Sequence, residues 1–376
     1  MQTWTARNVV LGAGAMGAAA AYHLARRGEP LLLVDQFPLG HDRGSSHGAA
    51  RITRHSYADP RYARLMPEAF RAWRTLEADA GENLYLRTGG VSFCPPELDY
   101  VARVEASLKA IDVPHRRMSG QELRKSWAWF GGPDETDVVF EPDAGMLSAA
   151  RAVAVQISLA QSAGGASTQI LENSPVQRID LDGERPTLIL ENGRIVAERL
   201  IVAAGAWTAR LLTNLGFPLR ATRQQVLYFR PTDVLNGLPG RFPVFISKGA
   251  EVLDDFYGMA SFQGQGVKVA RHGGPDVDPD SVDQQVGDEY RATVRRFLKK
   301  YLPPLAEAPI DRTEICLYTV APDEQFRVGP LPNRSDVIVA SPCSGHGFKF
   351  SCLIGQVLAD WATHGATDLA VDFWQL

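Results

Sequence analysis

The feature that most constrains the fold is a glycine-rich turn near the start of the chain, set between two apolar runs. The first run, 8–11, leads into "GAGAMG", and an alanine-rich stretch that ends near Gly28 follows it. The second run, 31–34, ends at Asp35. This order of strand, glycine turn, helix, strand and acidic residue is the fingerprint of a dinucleotide-binding unit. The sequence therefore predicts a Rossmann-like unit here.

Each glycine of this turn has its own expected role. Gly12 permits the tight turn, Gly14 lets the backbone approach a pyrophosphate, and Gly17 lets the helix pack closely on the strand. The N-terminus of the helix supplies unpaired N–H groups to phosphate oxygens. Asp35 is expected to accept a hydrogen bond from a ribose hydroxyl, and its acidic side chain disfavours a 2′-phosphate. The expected ligand is therefore FAD or NAD rather than NADP.

Charge and composition narrow the class of partner. The formal net charge of -4 argues against binding to nucleic acid, so we expect a small-molecule partner. The sequence contains no apolar run of the ~20 residues that a membrane span needs, and its start lacks the pattern of a secretory signal. We therefore predict a cytoplasmic protein with no membrane partner. The four cysteines follow neither a C-x-x-C nor a metal-ligand spacing, which is typical of free thiols and predicts no metal site.

Two later segments repeat the order of strand, glycine turn and helix, at 199–212 and 337–361. Between them, roughly from 217 to 318, apolar and polar residues alternate with frequent turn signals, which is typical of antiparallel strands. The predicted fold class is therefore α/β, and α+β overall. It combines a Rossmann-like nucleotide domain at 1–85, 146–216 and 321–376 with a discontinuous antiparallel-sheet substrate domain at 86–145 and 217–320.

Seven motifs, in order, carry a resemblance to a known family. They are "VVLGAGAMGAAAAYHLARRG", "SSHGAARITRHSY", "FEPDAGML", "LIVAAGAW", "YGMASF" with "GVKVARHGG", "CLYTVAPDEQF" and "SGHGFKFS". Together they resemble the monomeric sarcosine oxidases, a group that includes N-methyl-tryptophan oxidase and pipecolate oxidase. The resemblance covers nearly the whole chain and implies a monomeric FAD enzyme whose flavin 8α carbon is joined by a thioether to Cys316.

The resemblance also implies a reaction. The C–H beside a secondary amine leaves as a hydride equivalent, the resulting imine hydrolyses, and O2 becomes H2O2. Sarcosine or another N-methyl amino acid is the expected substrate, and a cyclic amino acid such as L-pipecolate or L-proline is the alternative. Departures from the family pattern at Ala49–Ala50, Met259–Ala260 and 327–330 leave this choice open. An NAD-dependent dehydrogenase and a nucleotide-binding protein without catalysis are the further alternatives.

Two arginines follow a glycine-flanked loop after the first nucleotide unit. A planar guanidinium matches a carboxylate in a bidentate pair of charge-assisted hydrogen bonds. The resemblance implies that Arg54 and Lys349 hold the substrate carboxylate and that Arg51 adds positive charge over the flavin. Because Arg51 and Arg54 are three residues apart, they share a face if this segment is helical.

The remaining site predictions also rest on the resemblance. It implies that Lys268 promotes oxygen reduction through its charge, and that Tyr257 and His272 contact the substrate. No role is assigned to His55 or His346.

The predicted catalytic residues are Lys268, Arg51, His272 and Tyr257, and those that bind substrate are Arg54, Lys349, Tyr257 and His272. The predicted FAD ligands are Gly12, Gly14, Gly17, Asp35, Ser45, His47, Arg51, Cys316, Gly345, Gly347 and Lys349. The cysteines predicted to be small buried side chains are Cys94, Cys343 and Cys352.

Overall fold

The computed structural model describes residues 2–250, 254–342, 344–374 and 376, so the prediction for Cys343 lies outside the described residues. The strands are β1 (Gln2–Leu11), β2 (Leu31–Val34), β3 (Ala50–Thr53), β4 (Tyr85–Arg87), β5 (Gly90–Cys94), β6 (Arg116–Ser119), β7 (Asp137–Glu141), β8 (Gly145–Ser148), β9 (Thr168–Leu171), β10 (Val176–Asp180), β11 (Thr187–Leu190), β12 (Gly193–Val202), β13 (Arg220–Phe229), β14 (Val244–Ser247), β15 (Phe256–Met259), β16 (Val267–Arg271), β17 (Ile310–Val320), β18 (Arg327–Leu331) and β19 (Arg334–Ser341). The helices are α1 (Ala15–Arg26), α2 (Pro60–Ala80), α3 (Tyr100–Ala110), α4 (Gly120–Ser126), α5 (Ala149–Gly164), α6 (Thr208–Leu211), α7 (Asp288–Tyr301), α8 (Pro303–Ala306) and α9 (Ser351–His364). Within the described ranges, no helix has both the length and the apolar character to cross a membrane.

The glycine turn belongs to a sheet with a parallel centre. β1 pairs in parallel with β12 and β2, β2 with β9, and β12 with β19, while β10, β11 and β18 add antiparallel edges. Both faces of this sheet are covered, since neighbouring residues such as Val9 and Val10 are each fully buried in different apolar clusters. Continuous apolar runs are the pattern that a doubly covered parallel sheet requires.

Small residues allow helices α1 and α9 to pack closely against each other. A Cβ added at Gly355 of α9 would lie 2.5 Å from the Cβ of Ala19 in α1. A larger side chain at either position would therefore push the helices apart. The alanine-rich sequence of α1 thus sets the distance at which α9, and the turn that precedes it, reaches the nucleotide unit.

A second large sheet has the strand order β17-β13-β16-β15-β14-β5-β7-β6. Neighbouring strands are antiparallel except for β14 and β5, which pair in parallel. A short third sheet has the strand order β3-β8-β4. In the chain, β3 and β4 come between β2 and β5, and β8 comes between β7 and β9. The mixed α/β fold with a Rossmann-like sheet and a discontinuous antiparallel sheet confirms the predicted fold class.

The expectation that Arg51 and Arg54 share a helical face is wrong. Residues 50–53 form strand β3, which pairs antiparallel with β8 and sets Arg51 opposite Leu147. The β-branched side chains of Ile52 and Thr53 favour this extended conformation. Arg54 follows the strand, and both arginines line the cavity without sharing a helical face.

Candidate active site

The glycine turn between β1 and α1 leaves no room for side chains at Gly12 and Gly17. Gly12 has φ +101°, and a Cβ there would lie 2.4 Å from the carbonyl oxygen of Ala203. A Cβ at Gly17 would lie 1.7 Å from the carbonyl oxygen of Gly12, which is the close packing of helix on strand expected from the sequence. The backbone of this turn is therefore the surface that it presents to a ligand.

Asp35, at the end of β2, holds this turn in place. One carboxylate oxygen accepts a hydrogen bond of 2.7 Å from the N–H of Ala13, and the other accepts one of 2.9 Å from the N–H of Phe37. The side chain is buried. A ribose contact of Asp35 stays a prediction, whereas its support of the glycine turn is visible directly and was not expected from the sequence.

A cavity of about 900 Å³ extends from the glycine turn to the second large sheet. It brings together nearly all the site residues predicted from the sequence. The predicted residues that line it are Gly12, Gly14, Asp35, Ser45, His47, Arg51, Arg54, Tyr257, Lys268, His272, Cys316, Gly345, Gly347 and Lys349. Gly17 is the exception, because it packs beneath the turn rather than on the cavity wall.

The loop at 44–48 connects the nucleotide unit to the second sheet. The hydroxyl of Ser45 donates to the carbonyl of Leu317 in β17, and Ser46 Oγ accepts a hydrogen bond of 2.9 Å from the N–H of Ala15 in α1. Arg51 donates to the carbonyl oxygens of Ser45 at 2.9 Å and His47 at 2.6 Å. The guanidinium of Arg51 therefore fixes the loop as well as bringing positive charge to the cavity. Nothing in the sequence analysis singled out Ser46.

Three side chains form a cationic end of the cavity. The guanidinium carbon of Arg54 lies 4.6 Å from the centre of the Tyr57 ring, and Lys349 Nζ donates to Tyr57 Oη at 3.0 Å and to the carbonyl of His346 at 2.8 Å. Burial and the charge of Arg54 hold the pKa of Lys349 well below its usual range. Arg54 Nη1 is buried and has no hydrogen-bond partner within the described ranges. These side chains are hydrogen-bond donors with positive charge, so the arrangement is suited to bind an anion.

The second sheet contributes Lys268 from the middle of the sheet. β16 lies between β13 and β15, so Lys268 is not on an edge strand, and only 5% of the residue is exposed. Its Nζ lies 5.8 Å from the centre of the Tyr228 ring. Burial and the charge of Arg51 lower the pKa of Lys268 to about 8. Lys268 lines the cavity, so its ammonium can stabilise negative charge on a ligand bound there.

Cys316 lies on the cavity-facing side of β17. Burial raises the pKa of its thiol, while the positive charges of Arg51 and Lys268 oppose that rise. Cys94 and Cys352 are also free thiols, and both are buried in apolar clusters. That burial confirms the small hydrophobic role expected for those two residues. Of the three, Cys316 is the one that lines the cavity.

His272 and Tyr257 present neutral polar groups to the cavity. Burial and the charges of Lys248 and Lys349 lower the pKa of His272 to about 4, and burial raises the pKa of Tyr257 well above its usual range. The imidazole of His272 lies 5.5 Å, centre to centre, from the ring of Tyr318. At neutral pH both groups therefore act through hydrogen bonds and shape rather than charge.

Two histidines without a predicted role are held inside the protein. His55 Nδ1 lies 2.6 Å from a carboxylate oxygen of Glu141, and its ring stacks on Phe70 with centres 4.1 Å apart. His346 Nδ1 lies 3.2 Å from Tyr57 Oη, and burial and Lys349 lower the pKa of His346 to about 3. Both histidines support the segments that carry Arg54 and Lys349.

The glycines of the C-terminal turn are required by protein contacts. Gly345 has φ +78°, and a Cβ there would lie 2.2 Å from the Tyr318 ring. A Cβ at Gly347 would lie 2.3 Å from the carbonyl oxygen of Pro342. The visible partners of these two glycines are therefore Tyr318 and Pro342, and their contact with FAD stays a prediction.

The geometry agrees with comparisons to known proteins. Residues 7–361 match the family described as FAD dependent oxidoreductase. The chain is 33% identical over 377 residues to monomeric sarcosine oxidase of Bacillus sp. (strain NS-129), with 98% of this chain and 95% of that protein covered. It is 30% identical over 374 residues to N-methyl-L-tryptophan oxidase of Yersinia pestis (strain Pestoides F), with 98% of each covered.

Solved structures share the fold. NikD, an unusual amino acid oxidase essential for nikkomycin biosynthesis, superposes with a TM-score of 0.86 at 21% identity, covering 99% of this chain and 97% of that one. L-proline dehydrogenase from P. horikoshii superposes with a TM-score of 0.85 at 21% identity, covering 100% of this chain and 97% of that one. The family match identifies the nucleotide as FAD and replaces the nicotinamide alternative. The chain therefore belongs to the family of FAD-dependent oxidoreductases, as an amine oxidase related to monomeric sarcosine oxidase and N-methyl-L-tryptophan oxidase.

Proposed function

We propose that this enzyme oxidises the secondary amine of a small amino acid to an imine and reduces O2 to H2O2. The observation that carries the proposal is the cationic end of the cavity, where the buried Lys349 and the half-buried Arg54 meet at Tyr57 with no carboxylate paired to them among the described residues. Sarcosine or another N-methyl amino acid supplies a carboxylate beside a secondary amine. L-pipecolate and L-proline supply the same two groups and are the alternative substrates.

The residues present fit an FAD that extends from the glycine turn to the second sheet. The cavity is continuous between Gly14 and Cys316, and the buried Nδ1 of His47 has no hydrogen-bond partner within the described part of the chain. The proposed FAD ligands include the turn, Asp35, Ser45, His47, Arg51 and the C-terminal turn. When bound, FAD accepts a hydride equivalent from the carbon beside the substrate nitrogen and passes the electrons to O2.

The side chains around the substrate orient it and set its charge. Arg54 donates to the carboxylate in a charge-assisted pair, and Lys349 adds a second donor. Positive charge here also disfavours protonation of the substrate amine, and the neutral amine has the lone pair that assists loss of the adjacent hydride. His272 and Tyr257 provide neutral hydrogen-bonding groups that hold the amine and the carboxylate in register.

Lys268 and Arg51 place positive charge where the reaction develops negative charge. Lys268 is the proposed site of oxygen activation, because a buried ammonium stabilises an oxygen anion as it forms. Arg51 belongs to the segment 1–85, whereas Lys268 belongs to the segment 217–320. Arg51 also keeps the loop at 44–48 in place. Cys316 is proposed as the point of thioether attachment to the flavin, because it is the free cysteine on the cavity wall among the described residues.

The predicted domain boundaries, monomeric state and cytoplasmic location stay predictions. We propose that the segments 1–85, 146–216 and 321–376 bind FAD and that 86–145 and 217–320 form the substrate side of the cavity. Because Cys316 and Arg54 come from different segments, the site requires both.

One experiment tests the function and the cofactor together. Purified protein is assayed for peroxide with sarcosine, other N-methyl amino acids, L-pipecolate and L-proline, and a second sample is precipitated with acid. We expect peroxide with at least one of these amino acids and a yellow pellet. In a Cys316→Ser variant the colour should move to the supernatant, whereas a matched Cys94→Ser variant should keep it in the pellet. A protein that carries FAD but yields no peroxide with any of these amines contradicts the proposed function.

A further inference from the structure

Beyond Tyr257, the cavity wall carries an ion pair, Lys248 with Asp255, that the proposed reaction does not use. Lys248 follows β14, Asp255 precedes β15 and His272 follows β16. Ser247 pairs with Phe256, and Phe256 pairs with Arg271, so these three residues are neighbours at one end of adjacent strands. The N–H of His272 donates to the carbonyl of Asp255 at 2.8 Å.

The pleat of the sheet directs this group into the cavity. Ile246, Tyr257 and Ala270 stand opposite one another in the register of β14, β15 and β16, so they share a face. A step of two residues along each strand keeps the same face. That step leads to Lys248, Asp255 and His272, all of which line the cavity.

Asp255 fixes the ammonium of Lys248 without using all of its donors. The carboxylate of Asp255 accepts from Lys248 Nζ and, at 3.0 Å, from the N–H of Gly249. Its side chain is 6% exposed, whereas that of Lys248 is 35% exposed. An ammonium has three donors, and Asp255 is its one partner among the described residues. The other donors have no partner among the described residues, and Lys248 lines the cavity.

His272 connects this group to the cationic end of the cavity. The charges of Lys248 and Lys349 both act on its imidazole, in addition to burial, in lowering its pKa. Lys248 lines the same cavity as Arg54 and Lys349. A ligand held by its α-carboxylate at Arg54 and Lys349 can extend a side chain past His272 towards Lys248.

We propose that the physiological substrate carries a second carboxylate on its side chain, as in an N-methyl amino dicarboxylic acid, and that Lys248 binds this group. The inference rests on the proposed function for the amine chemistry, and it assigns the substrate class. Sarcosine has no side chain and leaves Lys248 unused. A neutral amide of the same size replaces a charge-assisted hydrogen bond with a weaker one.

The test compares N-methyl-L-glutamate with N-methyl-L-glutamine, which differ only in the charge of the side chain. We expect kcat/KM to favour the acid by about tenfold, the factor that one charge-assisted hydrogen bond supplies. The preference should fall to about one in Lys248→Gln, whose amide still donates to Asp255, and should persist in Lys248→Arg. Lys299→Met, at an exposed lysine, is the matched control and should keep the preference.

A binding measurement separates recognition from turnover. The ether 2-methoxyglutarate and its side-chain amide have oxygen in place of the amine nitrogen, so neither is oxidised by the proposed route. Calorimetry should give a dissociation constant about tenfold lower for the diacid, and a difference that disappears in Lys248→Gln. Equal affinities in the unaltered enzyme, or a preference that survives Lys248→Gln, overturn the inference. Absence of peroxide with every N-methyl amino acid, L-pipecolate and L-proline overturns the proposed function instead, and the calorimetry still decides the role of Lys248.

Discussion

Lys349 donates a hydrogen bond of 3.0 Å to the hydroxyl of Tyr57, and this contact organises the cationic end of the cavity. The same phenol ring lies 4.6 Å from the guanidinium carbon of Arg54. A neutral aromatic partner positions both side chains without supplying a negative charge. A carboxylate bound here would restore the missing charge and raise the pKa of Lys349 again.

Arg54→Gln should weaken substrate binding. The substitution removes the planar pair of donors proposed for the α-carboxylate, and loss of such charge-assisted bonds lowers kcat/KM by about 100-fold, mainly through KM. Steady-state kinetics with the best substrate of the peroxide panel measures this. Arg74→Gln, at an exposed arginine, is the control and should leave both constants unchanged. An unchanged KM in Arg54→Gln would exclude the proposed carboxylate contact.

Lys268→Met should separate the two halves of the reaction. Anaerobic reduction of the flavin should be largely preserved, whereas reoxidation by O2 should slow by at least about 100-fold, because the charge that stabilises the oxygen anion is lost. Burial and Arg51 lower the pKa of Lys268 to about 8, and the ammonium is charged below that value. Reoxidation of the unaltered enzyme should therefore slow as the pH rises through about 8. Stopped-flow absorbance measures both steps, and equal loss of both in Lys268→Met would contradict the assignment.

Glu141→Gln should destabilise the protein and disturb Arg54. The buried carboxylate accepts hydrogen bonds from the N–H of His55 at 2.8 Å, from His55 Nδ1 at 2.6 Å and from the N–H of Ser56 at 3.0 Å. Leaving these buried donors without their charged acceptor costs about 3 kcal/mol of unfolding free energy. Because His55 directly follows Arg54, KM should rise as well. Glu198→Gln, at an exposed carboxylate, should change stability by less than about 0.5 kcal/mol.

The stabilisation by Glu141 should depend on pH. Burial alone would raise the pKa of Glu141, but hydrogen bonds and charge from His55 outweigh burial, and the pKa is lowered. The stabilisation is therefore complete above the usual carboxyl value near 4.5 and is lost as the pH falls through the lower value of the folded protein. Urea titrations of the unaltered protein and of Glu141→Gln should show that their difference in unfolding free energy becomes smaller as the pH falls. A difference that stays constant into strong acid would contradict an ionised Glu141.

Gly12→Ala should lower FAD content, and Gly28→Ala is its matched control. Both glycines have positive φ, at +101° and +74°, so alanine is strained at each by roughly 1–2 kcal/mol. A Cβ at Gly12 also lies 2.4 Å from the carbonyl oxygen of Ala203, whereas at Gly28 nothing lies within 4 Å. The clash displaces the turn that faces the cavity. Flavin absorbance per mole of purified protein should fall only for Gly12→Ala, and equal FAD content in both variants would refute this role of the turn.

The nucleotide unit could be predicted closely because its pattern is local. Strand β2 coincides with the predicted run 31–34, and the alanine-rich stretch predicted to end near Gly28 forms α1, which ends at Arg26. Buried apolar runs and an alanine-rich helix specify such a unit without distant contacts. The resemblance then supplied the residues that line the cavity.

Contacts between distant segments could not be predicted. Residues 50–53 form a strand because β8, far along the chain, pairs with them. Tyr57 and Ser46 lie within the motif "SSHGAARITRHSY", but their roles depend on Lys349 and on the start of α1, which the motif does not reveal. Glu141 and His55 meet only because β7 approaches the segment after β3. Such partners follow from tertiary packing rather than from spacing in the sequence.

The most direct test of the central claim compares an amino acid with its decarboxylated amine under anaerobic conditions. The best substrate of the peroxide panel and the matching amine, such as sarcosine and dimethylamine, are each mixed with the enzyme while the visible absorbance of the flavin is followed. The account predicts rapid bleaching by the amino acid and bleaching at least about 100-fold slower by the amine that lacks a carboxylate. Equal rates for the pair, or no bleaching by any secondary-amine amino acid, would contradict it.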